Sequence, residues 1–284
     1  MSEESVQTAF EKSIDEGKRR LGRSWAELLA TGTVGGFDVG VGVLGLLVVL
    51  EATGNELLAS LAFSIGFIAL TLAKSELFTE NFLVPVTTVV AGKSSLRSLL
   101  RLWGGTAGMN LIGGWVFTGL LMVGFPDLRH TAVEVATHYA EMGINVKSFA
   151  AGVVAGMVIT LMTWMVTSTD AVVGKLAAAA SAGFLLAAAA MNHAIVLSLV
   201  MFAALHAGAP FGYLDWLGAA AWAALANMAG GMGLVTLVRL VQVGRAKVDE
   251  ERRRPFGGER PDGDETRESG LVVPEGVISR QDGS

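Results

Sequence analysis

Long apolar runs, separated by short polar stretches, dominate residues 29–238 of this chain. A helix needs roughly 20 apolar residues to cross the hydrocarbon core of a bilayer. Four segments meet that length simply: 29–50, 103–123, 149–168 and 217–238. Two more are interrupted. The first is apolar from Leu57 to Ala73, meets the polar stretch Lys74 to Asn81, and resumes from Phe82 to Ala91. The second runs from Leu176 to Met191, breaks at Asn192 and His193, and continues from Ala194 to Leu205. Each continuation is too short to span alone, so each pair reads as one discontinuous helix broken at membrane depth. Non-helical backbone survives there only when buried in protein or facing a wet cavity. The pattern therefore predicts an all-α integral membrane protein of six spans, with spans two and five discontinuous.

The flanking charges set the orientation. Lys12, Lys18, Arg19, Arg20 and Arg23 precede span one. Lys93, Arg97 and Arg101 lie between spans two and three, Lys175 lies between four and five, and Arg239 and Arg245 open the C-terminal flank. The 51–56 and 206–216 connections have no Lys or Arg, and the 124–148 loop has only Arg129 and Lys147. Basic residues collect on the cytoplasmic side, which predicts that both termini lie there. In residues 1–27, Val6, Phe10, Ile14 and Leu21 recur at helical spacing among charges. This predicts an amphipathic helix at the membrane interface, with a gate over a pore as the second reading. Residues 244–284 are rich in charge, Gly and Pro, the composition of a disordered cytoplasmic tail. The Arg252 to Arg254 run fits cytoplasmic retention or contact with lipid headgroups.

Composition agrees. Of 284 residues, 52% are hydrophobic and 17% charged, and mean hydropathy is +0.53. The net charge of −5 comes largely from the polar ends and offers no basis for nucleic-acid binding. Cysteine is absent, which excludes disulfides, thiolate metal sites and cysteine catalysis. No metal or cofactor is expected. The N-terminus lacks the short apolar segment and small-residue cleavage site of a removed signal peptide.

Two patterns recur in order. Asn110-Leu111-Ile112-Gly113-Gly114 in span three matches Asn227-Met228-Ala229-Gly230-Gly231 in span six. Gly32 to Gly36 in span one matches Gly152 to Gly156 in span four. A broken span falls between these markers each time, dividing the membrane region 28–243 into repeats at 28–123 and 149–240. Three spans is an odd number, so the second repeat enters the bilayer from the opposite side. Inverted repeats place a solute site near the midplane, where their broken helices meet. That puts the Thr79 break opposite the His193 break.

The string Ser75-Glu76-Leu77-Phe78-Thr79-Glu80-Asn81, followed by Gly92-Lys93 and Leu99-Leu100-Arg101-Leu102-Trp103, resembles the formate/nitrite transporter family, in which an E-L-F-T loop interrupts the second helix. The likeness continues through Asn110, Gly113-Gly114, Trp164, His193 and the Asn227/Gly230-Gly231 repeat, covering residues 28–240 in all. It implies an aquaporin-like protomer assembled as a homopentamer in a bacterial inner membrane, with one pore per protomer. It also implies transport of small monovalent weak-acid anions such as formate, nitrite, hydrosulfide or short carboxylates. The family's loop threonine falls on Thr79, its central histidine on His193, and its cytoplasmic-side constriction on Leu77 and Phe78. Where the family usually has an acidic residue before the histidine and an asparagine four residues after it, this chain has Asn192 and Leu197. Lys74 and Glu80 stand where small or polar residues are usual.

Bare anions cross apolar constrictions at high cost because they lose their hydration. Half-helix N-termini offer a fixed positive field, and a buried imidazole can share a proton. His193 is therefore expected to donate a proton to the solute or polarise it, opposite a hydrogen bond from Thr79. Packing in a helix kink is its bland alternative, and for Thr79 the alternative is capping the resumed half-helix. Leu77 and Phe78 read equally as constriction or core. Lys74 is expected to pair with Asp38, Glu76 or Glu80, or else to attract anions at the pore mouth. Glu76 and Glu80 are expected to bond loop N–H groups or Lys74. Asn110 and Asn227, with Gly114 and Gly231, are read as structural elements of the repeat. A channel for water, glycerol or ammonia is the alternative function, although the paired Asn-Pro-Ala signature is missing. An intramembrane serine protease has no G-x-S-G sequence here, so enzymatic activity is not expected.

Overall fold

The computed structural model describes residues 3–254, and these contain helices and no strand. Helix α1 covers Glu3–Leu21 and α2 covers Trp25–Thr53. Helix α3 (Glu56–Ala73) leads through a 3-10 turn at Phe78–Phe82 into the short α4 (Val84–Val90). Then come α5 (Leu96–Gly124), α6 (Arg129–Glu141) and α7 (Val146–Ser168). Helices α8 (Val172–Ala188) and α9 (Ala194–Ala207) form the second broken pair. Helix α10 (Tyr213–Met228) continues through a π-helical stretch, Ala229–Thr236, into α11 (Leu237–Val243), and α12 covers Arg245–Arg253.

Local chemistry places the ends. Ser24 and Glu27 form a reciprocal capping box at the start of α2, and Asn145 and Ser148 do the same for α7. Asn55 and Ser95 cap α3 and α5 through their side-chain oxygens. Gly54 and Gly208, both left-handed, end α2 and α9. Among the described residues, five helical runs are long and apolar enough to cross a membrane, the last of them running from α10 through α11. The sixth crossing is made jointly by α8 and α9, of 17 and 14 residues.

The two halves repeat each other in detail. A Cβ at Gly36 would lie 2.5 Å from the Asn110 carbonyl, and one at Gly156 would lie 2.2 Å from the Asn227 carbonyl. Gly113 packs on the Thr33 carbonyl as Gly230 packs on that of Val153. Glycine is thus required where α2 crosses α5 and where α7 crosses α10, because the backbones themselves touch. Both breaks also open on a left-handed residue that is not glycine: Lys74 at φ 55° and Ala190 at φ 41°. The inverted three-helix repeat read from the N-x-x-G-G pattern is therefore built into the backbone contacts.

Three expectations need revision. The 124–148 connection is largely helical, because Ala132, Ala136 and Tyr139 of α6 are buried against the bundle. Residues 245–253, expected within the disordered tail, form α12, where Lys247 pairs with Glu11 at 2.9 Å and Arg252 donates to the Val90 carbonyl at 2.8 Å. The remainder of that tail lies outside the described residues. Helix α1 does not offer its apolar face to lipid. Val6, Phe10 and Ile14 are buried with Leu83, Val84, Ala91, Trp164 and Val243, and Gly17 lets α1 approach Thr88 of α4.

Candidate functional site

Each break is held open by one asparagine. Asn110 Oδ1 accepts from the Phe78 N–H at 2.8 Å, while its Nδ2 donates to the carbonyls of Gly32 at 2.8 Å and Glu76 at 2.9 Å. Asn227 repeats the scheme: Oδ1 accepts from the Ala194 N–H at 2.9 Å, and Nδ2 donates to the carbonyls of Gly152 at 2.8 Å and Asn192 at 3.0 Å. Both side chains are fully buried. A primary amide carries two donors and an accepting oxygen, which matches what a helix break leaves unsatisfied. In this register His193 occupies the place that Leu77 holds in the first repeat.

The two breaks meet through side chains. His193 Nε2 lies 2.8 Å from Thr79 Oγ1, and both residues are fully buried. His193 is also the N-cap of α9, its Nδ1 accepting the Val196 N–H at 3.3 Å. That bond uses the Nδ1 lone pair, so the neutral ring carries its hydrogen on Nε2 and donates it to Thr79. Thr79 is then an acceptor from His193, and its own hydroxyl hydrogen remains to be offered elsewhere. The capping reading of Thr79 does not hold, since it lies inside the 3-10 turn and Leu83 precedes α4. Pro85 sits in the first turn of α4, where its missing N–H costs little.

The surrounding residues divide by what they bond. Leu77 and Phe78 are buried, and Phe78 stacks edge-on with Phe82 at 5.0 Å and with Trp103 at 6.3 Å. Asn192 turns its amide to the Ser148 carbonyl at 3.0 Å. Glu80 accepts from the Leu77 N–H at 3.3 Å. Glu76 pairs with Arg23 at 2.7 Å and Arg20 at 3.2 Å, reaching back across the chain to α1. Arg20 further donates to Asn81 Oδ1 at 3.1 Å. Asp38 accepts from the Ser75 hydroxyl, so the expected ion pair with Lys74 does not form. Lys74 is exposed, and none of the ion pairs among the described residues includes it. Gly114 packs on Leu199, and Gly231 on Phe82 and Thr160. Arg20 of α1 and Arg23 of the link to α2 are partners that the sequence does not announce; nothing in their local pattern points to a break more than fifty residues away.

Two cavities approach this junction from opposite ends of the broken pair. One, of about 410 Å³, lies beside α1 and is walled by Ser75, Glu76 and Glu80, with Lys12, Lys74 and Lys175 around it. The other, of about 580 Å³, lies beside α6 and reaches Val196 and Val200 of α9. Val196 is the residue whose N–H is capped by His193 Nδ1. Neither Thr79 nor His193 lines either cavity, but Glu80, next to Thr79, lines the first and Val196, bonded to His193, lines the second.

Comparison with known proteins agrees with this geometry. The family model described as formate/nitrite transporter matches residues 7–241. The inner membrane protein YfdC of Escherichia coli (strain K12) is 29% identical over 168 residues, covering 55% of this chain and 53% of that protein, so the chain spans about half its length. The uncharacterized transporter YrhG of Bacillus subtilis (strain 168) is 25% identical over 244 residues, covering 81% of this chain and 90% of that protein. Among solved structures, a formate/nitrite-type (FNT) family ion channel superposes with a TM-score of 0.74 at 18% identity, covering 81% of this chain and 96% of its own. A pentameric formate channel with formate bound superposes with a TM-score of 0.63 at 20% identity, covering 75% and 95%. Both share the aquaporin-like fold, and these proteins are channels and transporters rather than enzymes. The chain belongs to the formate/nitrite transporter family.

Proposed function

We propose that this protein carries small monovalent weak-acid anions, of the formate and nitrite kind, along a route joining the two cavities through the Thr79–His193 contact. The observation that carries the reading is that hydrogen bond, made between two oppositely directed broken helices with a cavity leading toward each side. The family match supports the solute class, as does the formate bound in a structural neighbour. The same neighbour's pentameric state supports a homopentamer with one route per protomer.

At the junction, neutral His193 polarises Thr79, whose hydroxyl hydrogen donates to the passing anion. Full protonation of the solute needs a second proton on the ring at Nδ1, where the Val196 N–H already points. A proton taken up from cavity water onto Nδ1 therefore loosens the α9 cap, the Nε2 proton passes by way of Thr79 to the solute, and the ring is left neutral while the solute crosses the apolar stretch as the neutral acid. Lys74, exposed at the α1-side cavity, raises the local anion concentration there. Leu77 and Phe78 with Phe82 form the apolar collar on the same side. Positive charge on the flanks supports a topology with both termini in the cytoplasm of a bacterial cell and the α6 side outside it.

The test is flux into proteoliposomes across a panel of formate, nitrite, hydrosulfide and acetate, with glycerol and water beside them, at two pH values. Selective anion flux that rises toward acid pH is expected. Glycerol or water flux without anion flux would replace this reading with the neutral-solute channel.

A further inference from the structure

The two cavities differ in charge. The α1-side cavity is walled by Lys12, Arg19, Arg20, Lys74 and Lys175 as well as by carboxylates. The α6-side cavity has carboxylates from three separate elements, Glu51 ending α2, Glu56 opening α3 and Glu134 in α6, and no Lys or Arg in its lining. An anion entering this mouth at neutral pH meets only negative fixed charge. That is an odd entrance for an anion route, unless something in the wall changes sign.

Helix α6 supplies such groups. His130 and His138 line the cavity one helical turn to either side of Glu134, and all three are exposed. The helix is fixed in place: the Thr131 hydroxyl donates to the Glu51 carboxylate, and Ala132, Ala136 and Tyr139 are buried. Facing the two imidazoles are Glu51 from α2, Glu56 from α3, and Glu134 with Tyr139 from α6 itself. Helices α8 and α9 and the break between them add only apolar wall: Ala187 and Ala188 from α8, Ala190 from the break, and Val196 and Val200 from α9. Imidazole is the side chain whose charge ordinarily changes between about pH 5 and 8. Val196 is at once cavity floor and the N–H donor to His193, so this wall charge acts on the last open space before the junction.

We propose that α6 is an acid-responsive electrostatic filter that decides when anions enter from this side. With both imidazoles neutral, the three carboxylates turn monovalent anions back. Protonation of His130 and His138 offsets two of the three negative charges and opens the mouth. This rests on the anion-transport reading above, and deepens it by assigning the residues that set its dependence on pH at one face. Charge on the walls of an entrance changes entry rates by on the order of tenfold or more.

The experiment uses the full-length protein in proteoliposomes, with the orientation determined by labelling of the N-terminus. Formate uptake from the α6 side is measured as that side is stepped from about pH 7.5 to about 5.5 with the other side held. The neutral-acid content of the buffer changes identically for every protein, so each variant is read as a ratio to wild type. The paired substitution His130→Gln and His138→Gln should match wild type at the higher pH and fall roughly tenfold behind at the lower one. His130→Arg with His138→Arg, permanently charged, should already exceed wild type at the higher pH, and Glu134→Gln should do so to a lesser degree. Stepping the pH on the α1 side should leave the ratios unchanged. Ratios that stay flat for the glutamine pair, or arginine and Glu134 variants that fail to gain uptake in protein eluting as wild type does, overturn the filter while leaving anion transport standing. Absence of any anion flux in the wild type overturns both.

Discussion

Replacing Asn227 with alanine tests how the second break is held. The substitution removes an acceptor for the Ala194 N–H at 2.9 Å and donors to the Gly152 and Asn192 carbonyls at 2.8 and 3.0 Å. All three partners lie in a buried region from which water is excluded, since Asn227 itself is fully covered. An orphaned buried polar group costs about 1–3 kcal/mol, and a carbonyl with a second lone pair in use costs less than an N–H. The three together should cost about 3–6 kcal/mol, a large share of the total stability of an ordinary domain. Asn110→Ala should cost a similar amount, because its bonds to Phe78, Gly32 and Glu76 have the same chemistry and lengths. Unfolding in detergent micelles, followed by helicity and by elution volume, measures both. If either variant came within about 1 kcal/mol of wild type, the claim that one amide holds each break would be refuted.

The other consequences are smaller. Ala190→Gly should stabilise the protein by about 1 kcal/mol, because alanine at φ 41° strains a conformation that glycine adopts freely; thermal unfolding reads it, and a loss of stability would contradict the strain. Lys74→Ala should slow anion entry from the α1 side and change stability by less than about 0.5 kcal/mol, since its side chain is exposed; unaltered uptake with lowered stability would remove its role at the mouth. For Glu16, burial raises its carboxyl, but hydrogen bonds from Arg19 and Arg20 outweigh this and hold it at about 2, below the ordinary 4.5. A depressed carboxylate stabilises the fold above its unfolded value and stops doing so as pH falls through the folded one. The seating of α1 should therefore weaken between about pH 4.5 and 2, seen as faster amide exchange in Phe10 to Leu21, and exchange insensitive to pH across that window, after correction for the chemical rate, would contradict it.

Much of this architecture was legible in the sequence because the responsible constraints are short. An apolar run of span length, a pair of adjacent glycines and an asparagine three residues before them each report on one backbone crossing, and they recur in order in both repeats. The polar stretches at Thr79 and His193 were readable as breaks for the same reason: polar backbone in lipid must be compensated nearby. What could not be read was which distant side chain provides a partner. Glu76 has equally plausible local partners in Lys74 and neighbouring N–H groups, yet its carboxylate is claimed by Arg20 and Arg23. The apolar stripe of α1 announced an amphipathic helix, but periodicity does not say whether lipid or protein covers the stripe. Helix α6 did carry a signal in Ala132, Ala136 and Tyr139 at helical spacing, masked by small residues and the surrounding Thr, His and Glu. Thr79 is a good N-cap residue type, but the 3-10 turn places it four residues ahead of Leu83, which precedes α4 without a side-chain cap. Register within a ten-residue irregular stretch depends on tertiary anchors such as Asn110, not on propensity.

The most direct test of the Thr79–His193 junction is formate flux through the His193→Asn variant beside wild type, in liposomes at about pH 5.5 and about 7.5. Asparagine is among the best N-cap residues, so α9 keeps its start while the imidazole is lost. The account predicts a protein folded as wild type is, whose flux has lost the wild-type response to pH or its preference among anions. Wild-type flux and selectivity at both pH values would show that this imidazole takes no part in permeation.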